Sequence, residues 1–281
     1  SAILDFDYAV NLNPANLVAY GYRGKCHYKL REYSLALNDL SIGIESGELN
    51  NELYLFRGVS QSNLYNFNSA LEDLNTYLIR SINNKDLHEV YIQRAIVFYN
   101  MNLYNDALKD LNMAIELNPS SSAGYMHRAN INRIFENYSE SLRDLNLAIE
   151  LGEKNREIFL LRGTINLELK KYSNAYEDLD YFLNNTSDKH KDTIDAKLNR
   201  GIASFYMEDY SNSKKDLDKV IMLDKQNWLA YRYRGEILKI QGDNNRAIND
   251  LTKATSSGKI IPKIYLLRGE LNISNNKFND A

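Results

Sequence analysis

Residues 88–121, HEVYIQRAIVFYNMNLYNDALKDLNMAIELNPSS, run directly into residues 122–155, SAGYMHRANINRIFENYSESLRDLNLAIELGEKN. Laid one over the other, they set Tyr91 on Tyr125, Arg94-Ala95 on Arg128-Ala129, Tyr104 on Tyr138 and Asp110-Leu111 on Asp144-Leu145. A period of this length, held in register, marks a repeat architecture. Outward from this pair the same two beats continue. Arginine followed by a small residue recurs at Arg23-Gly24, Arg57-Gly58, Arg162-Gly163, Arg200-Gly201, Arg234-Gly235 and Arg268-Gly269, and the eight occurrences are spaced 34, 37, 34, 34, 38, 34 and 34 residues apart. Sixteen residues after each of the first seven arginines stands Asp-Leu, also as Asp39-Leu40, Asp73-Leu74, Asp178-Leu179, Asp216-Leu217 and Asp250-Leu251. Within a unit the apolar residues sit three and four apart, the spacing of a helix face and not of a strand. Each unit therefore predicts two short antiparallel helices, and the chain an all-α array.

The framework residues carry a resemblance to a known family. With units numbered from Leu17, Asn51, His88, Ser122, Arg156, Ile194, Trp228 and Pro262, the fourth position is aromatic in every unit but that of Lys197. The eighth is Gly or Ala throughout, the twentieth is always small, and the seventeenth is Tyr or Phe except at Asn244. Pro14 and Pro119 stand where a second helix should end. This pattern resembles the tetratricopeptide repeat (TPR) over essentially the whole chain. The resemblance implies a right-handed superhelical solenoid of antiparallel helix pairs. Read this way, residues 1–281 form a single continuous solenoid. It has a half repeat over 1–15, full repeats starting near 17, 51, 88, 122, 156, 194 and 228, and a partial repeat over 262–281. Both ends fall within a repeat without a polar capping unit, so a fragment of a longer array is expected.

Composition narrows the function classes. A net charge of −3 gives no global electrostatic reason to bind nucleic acid. Eleven of the 21 tyrosines occupy the fourth or seventeenth positions, which assigns them to helix packing and not to a base-stacking platform. One cysteine, Cys26, excludes an internal disulfide, and the four histidines lack ligand spacing, so no metal is expected. No phosphate loop, dinucleotide-binding turn, zinc-protease motif or nucleophile elbow occurs, and the segment reads as non-enzymatic, with no cofactor. No apolar run is long enough for membrane insertion. A cytoplasmic setting is expected, with a cytoskeletal or ciliary one as the narrower option.

Three structural expectations follow. The recurring Arg and Asp should pair, between the two helices of a hairpin or between neighbouring hairpins, and set helix register more than net stability. Cys26 shares the tenth position with Val97, Ile131, Ile165, Ile237 and Leu271, and should be a small buried hydrophobe. Three residues are inserted near 81–87 and four near 184–192, after the bulky Tyr77 and Phe182. These insertions read equally as changes of packing angle at those two interfaces or as tolerated surface loops.

The resemblance places partner recognition on a concave groove lined by the first helices. Carried over position by position, it selects Tyr22, Lys25, Phe56, Gln93, Met126, His127, Asn130, Leu161, Asn199 and Tyr233, together with neighbours such as Val59, Ile92 and Leu198. Phe56 and Tyr233 are the expected aromatic anchors. The Lys and Asn set with which family members clamp a chaperone's C-terminal carboxylate is not present in any three consecutive units: Lys25 is joined by Lys29, and Asn130 by Met126. A helical or extended apolar peptide is the better fit. The favoured reading is a protein-interaction scaffold within a larger complex. The alternatives are a structural part of a cytoskeletal or ciliary assembly, and the regulatory arm of an enzyme whose catalytic domain lies outside this segment.

Overall fold

The computed structural model describes residues 2–45, 51–81, 87–187, 192–255 and 261–275, and among these it contains sixteen helices and no strand. The chain divides into two compact units, residues 1–135 with 146–152 and residues 136–145 with 153–281. The first holds α1 (Ala2–Leu12), α2 (Leu17–Lys29), α3 (Tyr33–Glu45), α4 (Glu52–Asn63), α5 (Phe67–Arg80), α6 (Leu87–Asn100), α7 (Tyr104–Leu117) and α8 (Ser122–Ile134). Helix α9 (Tyr138–Glu150) contributes to both units. The second holds α10 (Glu157–Glu168), α11 (Tyr172–Asn184), α12 (Thr193–Tyr206), α13 (Tyr210–Leu223), α14 (Trp228–Ile240), α15 (Asn244–Thr255) and α16 (Pro262–Ser274). Every first helix starts within one residue of the position read from the repeat. Residues 82–86 and 188–191, which carry the inserted residues, lie outside the described residues. Tyr77 and Phe182, which precede them, are packed into the core.

Small residues set the helix spacing. A Cβ on Gly24 would lie 2.8 Å from Leu40 Cγ, and one on Gly163 would lie 2.8 Å from Leu179 Cγ. The leucine of each Asp-Leu pair thus seats directly on the glycine of the Arg-Gly pair, which is why both beats recur together. At Val97, Ile131, Ile237 and Leu271 the tenth-position residue then closes its hairpin against the one before it. Ile131 packs with Ile92, Ala95, Ala107 and Leu111, and Ile237 packs with Leu198, Ile202, Leu217 and Val220. Burying such a side chain fully contributes roughly 1.5–3 kcal/mol.

The recurring arginine and aspartate pair as expected, between the first and second helices of one hairpin. In Arg23–Asp39, Arg57–Asp73, Arg94–Asp110, Arg162–Asp178, Arg200–Asp216 and Arg234–Asp250, Nε and Nη2 donate to the two carboxylate oxygens at 2.6–2.9 Å. The free Nη1 then reaches back to the second helix of the preceding hairpin. Arg23 donates to Asp7 at 2.9 Å, Arg94 to Asn75 at 2.6 Å, Arg200 to Asp180 at 2.7 Å and Arg234 to Asp218 at 2.6 Å. A planar fork with a spare donor can tie three helices at once, which a lysine cannot do. In Arg57 and Arg94 the hydrogen bond donated to the aspartate raises the guanidinium pKa against the opposing effect of burial.

The turn inside each hairpin has a feature that the repeat pattern did not announce. Among the described residues its fifteenth position is left-handed in every unit, at Arg31, Tyr65, Asn102, Glu136, Lys170, Glu208 and Gly242, with φ between 58° and 80°. The next residue donates its N–H back into the first helix, as in Asn66 to Gln61 and Asp209 to Ser204, both at 2.9 Å. This closes the helix end in a Schellman arrangement. Only Gly242 is the residue type that adopts the conformation without strain.

Candidate peptide-binding face

First helices contact one another directly within each unit, α2 with α4, α4 with α6 and α6 with α8 in the first, and α10 with α12 and α12 with α14 in the second. Their outward side chains form the face to which the resemblance pointed.

On α2 and α4 three of the expected residues converge. Tyr22 is 46% exposed and its ring stacks on Phe6 at 5.7 Å. Lys25 Nζ lies 5.4 Å from the Tyr22 ring and 5.6 Å from the Phe56 ring, and pairs with Glu52 at 2.7 Å. Lys29, which the sequence reading noted only for its position, lies over Tyr28 and Phe56 at 5.9 and 5.8 Å. Phe56 packs against Tyr28 with ring centroids 4.7 Å apart. The result is a cation-on-aromatic surface in which Lys25 already meets Glu52 and Lys29 is exposed.

On α6 and α8 a more enclosed site appears. A cavity of about 200 Å³ is lined by Ala95, Ile96, Tyr99, Asn100, Leu111, His127, Asn130 and Ile131. Asn130 Nδ2 donates to the Tyr99 hydroxyl at 3.3 Å. Two of the expected residues, His127 and Asn130, therefore share one cavity. Tyr99 and Asn100, at the twelfth and thirteenth positions of their unit on the last turn of α6, were not among the residues selected from the sequence. Gln93 is held on its own helix by a 2.8 Å bond to Glu89, and Met126 is half-buried.

In the second unit the expected residues do not gather in this way. Leu161 is half-buried, and Asn199 donates to Thr164 at 3.4 Å. Tyr233, expected as an anchor, is only 6% exposed. Its ring meets Phe205 at 5.1 Å and its hydroxyl lies 3.3 Å from that of Tyr206. Burial, aided by the Tyr206 hydrogen bond, raises its pKa well above the ordinary tyrosine value. The exposed ring in this cluster is Tyr206, at 44%, stacked on Tyr172 at 4.6 Å. Val59, Ile92 and Leu198 likewise turn into the core.

Cys26 departs from expectation in the opposite direction. Its counterparts Val97, Ile131, Ile165, Ile237 and Leu271 are 0–2% exposed, whereas Cys26 is half-buried and lines an open groove. Val97, Ile131, Ile237 and Leu271 are each packed against both helices of a preceding hairpin, and among the described residues only α1 stands in that place for Cys26. Among the described residues no group of His, Cys, Asp and Glu is arranged to hold a metal ion, and no helix is long and apolar enough to cross a membrane.

No model of a protein family matches the chain, and no curated protein does. Solved structures match it closely in architecture. A tetratricopeptide repeat protein from Parabacteroides merdae superposes with a TM-score of 0.57 at 19% identity, over 92% of this chain and 98% of that one. YrrB, described as a TPR protein with an unusual peptide-binding site, gives 0.60 at 18% identity, over 72% of this chain and 99% of its own. The anaphase-promoting-complex assembly Cut9-Hcn1 gives 0.59 at 13% identity, over 96% of this chain and 53% of that one. The fold is thereby that of the tetratricopeptide repeat: all-α, built of consecutive helix pairs.

Proposed function

We propose that this protein is a non-catalytic interaction scaffold that holds a helical or extended peptide segment of a partner on its first-helix face, as part of a larger complex. The carrying observation is the cavity between α6 and α8. Its lining combines apolar Ala95, Ile96, Leu111 and Ile131 with polar Tyr99, Asn100, His127 and Asn130. Such a site takes one apolar side chain while its polar groups bond the peptide backbone beside it. The surface of Tyr22, Lys25, Lys29 and Phe56 supplies a second contact in the same unit, suited to an acidic or aromatic residue of the same segment. Gln93 and Met126 lie on the same two helices as the cavity, and Leu161 and Asn199 lie on first helices of the second unit. Tyr233 acts beneath this face as support for Tyr206. The peptide-binding site described for YrrB supports this class of ligand without specifying its sequence.

Panning a displayed peptide library on residues 1–281, with Asn130→Arg as the counter-selection target, tests the reading. Enriched peptides should share one apolar anchor, lose binding on Asn130→Arg, and shift amide resonances of α6 and α8. Peptides that bind Asn130→Arg as well as the parent, or an absence of enrichment, would refute it.

A further inference from the structure

We propose that the exposed side of α13 binds an acidic segment of a partner protein, through three lysines that have no counter-charge among the described residues. Helix α13 is a second helix, so this surface is separate from the first-helix face.

Lys214 is the departure that points to it. The twenty-first position of a unit is apolar or aromatic at Leu37, Leu71, Leu108, Leu142, Tyr176 and Ile248, and is lysine only in α13. Leu71, Leu108 and Ile248 pack against buried clusters. Lys214 is half-buried as they are, so its aliphatic stem takes the apolar place and its ammonium group is carried out toward solvent. Lys215 and Lys219 are exposed beside it. These two stand four residues apart, where like charges on a helix repel.

The helix offers nothing to offset this charge. Its two acids are already held, Asp216 by Arg200 at 2.7 Å and Asp218 by Arg234 at 2.6 Å. In α7, by contrast, Lys109 meets Asp106 at 2.9 Å, and the residue of α13 in the place of Asp106 is Asn212. Among the described residues none of the three lysines makes an ion pair.

The surface is also shaped. The three lysines, Met222 and Gln241 line an open depression of about 620 Å³. Met222 is 60% exposed, so the cationic lining continues into an apolar edge. A segment that brings carboxylates to the lysines and an apolar side chain to Met222 complements both parts. Nucleic acid fits less well. Its binding draws on phosphate contacts spread along a strand, against which a net charge of −3 works, whereas a short acidic segment senses mainly the charges within about 10 Å of it.

Fluorescence anisotropy of residues 1–281 with a labelled peptide repeating Glu-Glu-Leu tests this, the matched peptide repeating Gln-Gln-Leu being the control. The acidic peptide should bind and the control should not. Lys215→Glu combined with Lys219→Glu should weaken binding at least about tenfold, because like charges then face one another. Lys214→Leu, which restores the residue type of the other units, should weaken it while melting no lower than the parent. Asn130→Arg, which alters the first-helix face, should leave it unchanged. Circular dichroism melts establish that each variant is folded. An acidic peptide that fails to bind, or that binds the lysine variants as well as the parent, overturns the proposal. So does equal binding of the glutamine control, or duplex DNA that binds more tightly than the acidic peptide and is lost in the same lysine variants.

Discussion

Gly163 and Gly201 hold the same position in two units, yet alanine should have opposite effects at them. Both lie inside helices, so each substitution gains about 1 kcal/mol of helix propensity. The space available differs. A Cβ at Gly201 would meet Asp216 Cβ at 3.3 Å and Leu217 Cγ and Cδ2 at 3.4 Å, a tight contact that a small shift relieves. At Gly163 it would meet Leu179 Cγ at 2.8 Å and Asp178 Cβ at 3.1 Å. Leu179 is fully buried, and the contact is with its branch point and not its flexible end, so the leucine cannot swing clear. Overpacking of this kind costs about 1–3 kcal/mol. Gly201→Ala should therefore be stabilising by about 0.5 kcal/mol and Gly163→Ala destabilising by about 1 kcal/mol. Urea titrations followed by far-ultraviolet circular dichroism measure both. Fluorescence of Trp228, the single tryptophan and a residue of the same compact unit, checks that one transition is being followed. Gly163→Ala at or above the stability of Gly201→Ala, with unchanged m values, would refute the argument that the Asp-Leu leucine dictates glycine here.

Asp73→Asn should cost about 2–4 kcal/mol in the same titration, because it leaves the mostly buried Arg57 guanidinium without its counter-charge. Glu208→Gly should stabilise by up to about 1 kcal/mol through relief of the left-handed backbone, and Asn102→Gly by much less, since asparagine tolerates that region. Stability should fall as pH rises past about 10, where unfolded tyrosines ionise while the fold keeps Tyr233 protonated. The raised pKa means the contribution is present below the ordinary tyrosine value and lost above it, so Tyr233→Phe should flatten this alkaline decline in thermal melts across the pH series.

The repeat beats were enough to place the helices, because a packed hairpin needs the same small residue, the same leucine and the same aromatic at the same turn in every copy. They also marked the Arg–Asp pairs, while the structure decided that each pair joins a first helix to its own second helix. Whether an individual side chain on that face was open depended on neighbours the motif does not encode. Tyr22 and Tyr233 share one interior helix face by pattern, yet Phe6 leaves Tyr22 half in solvent while Phe205 and Tyr206 close over Tyr233. Tyr99 and Asn100 stand at the twelfth and thirteenth positions of their unit, but their place in the cavity comes from α8 packing against α6. The left-handed turn gave no periodic signal, as six different non-glycine residues adopt it. Sequence by itself determined the unit, its register and its recurring contacts, which are local and repeated and so leave a periodic trace. Tertiary structure alone decided which surfaces remain uncovered, since exposure depends on contacts between hairpins that differ from one interface to the next.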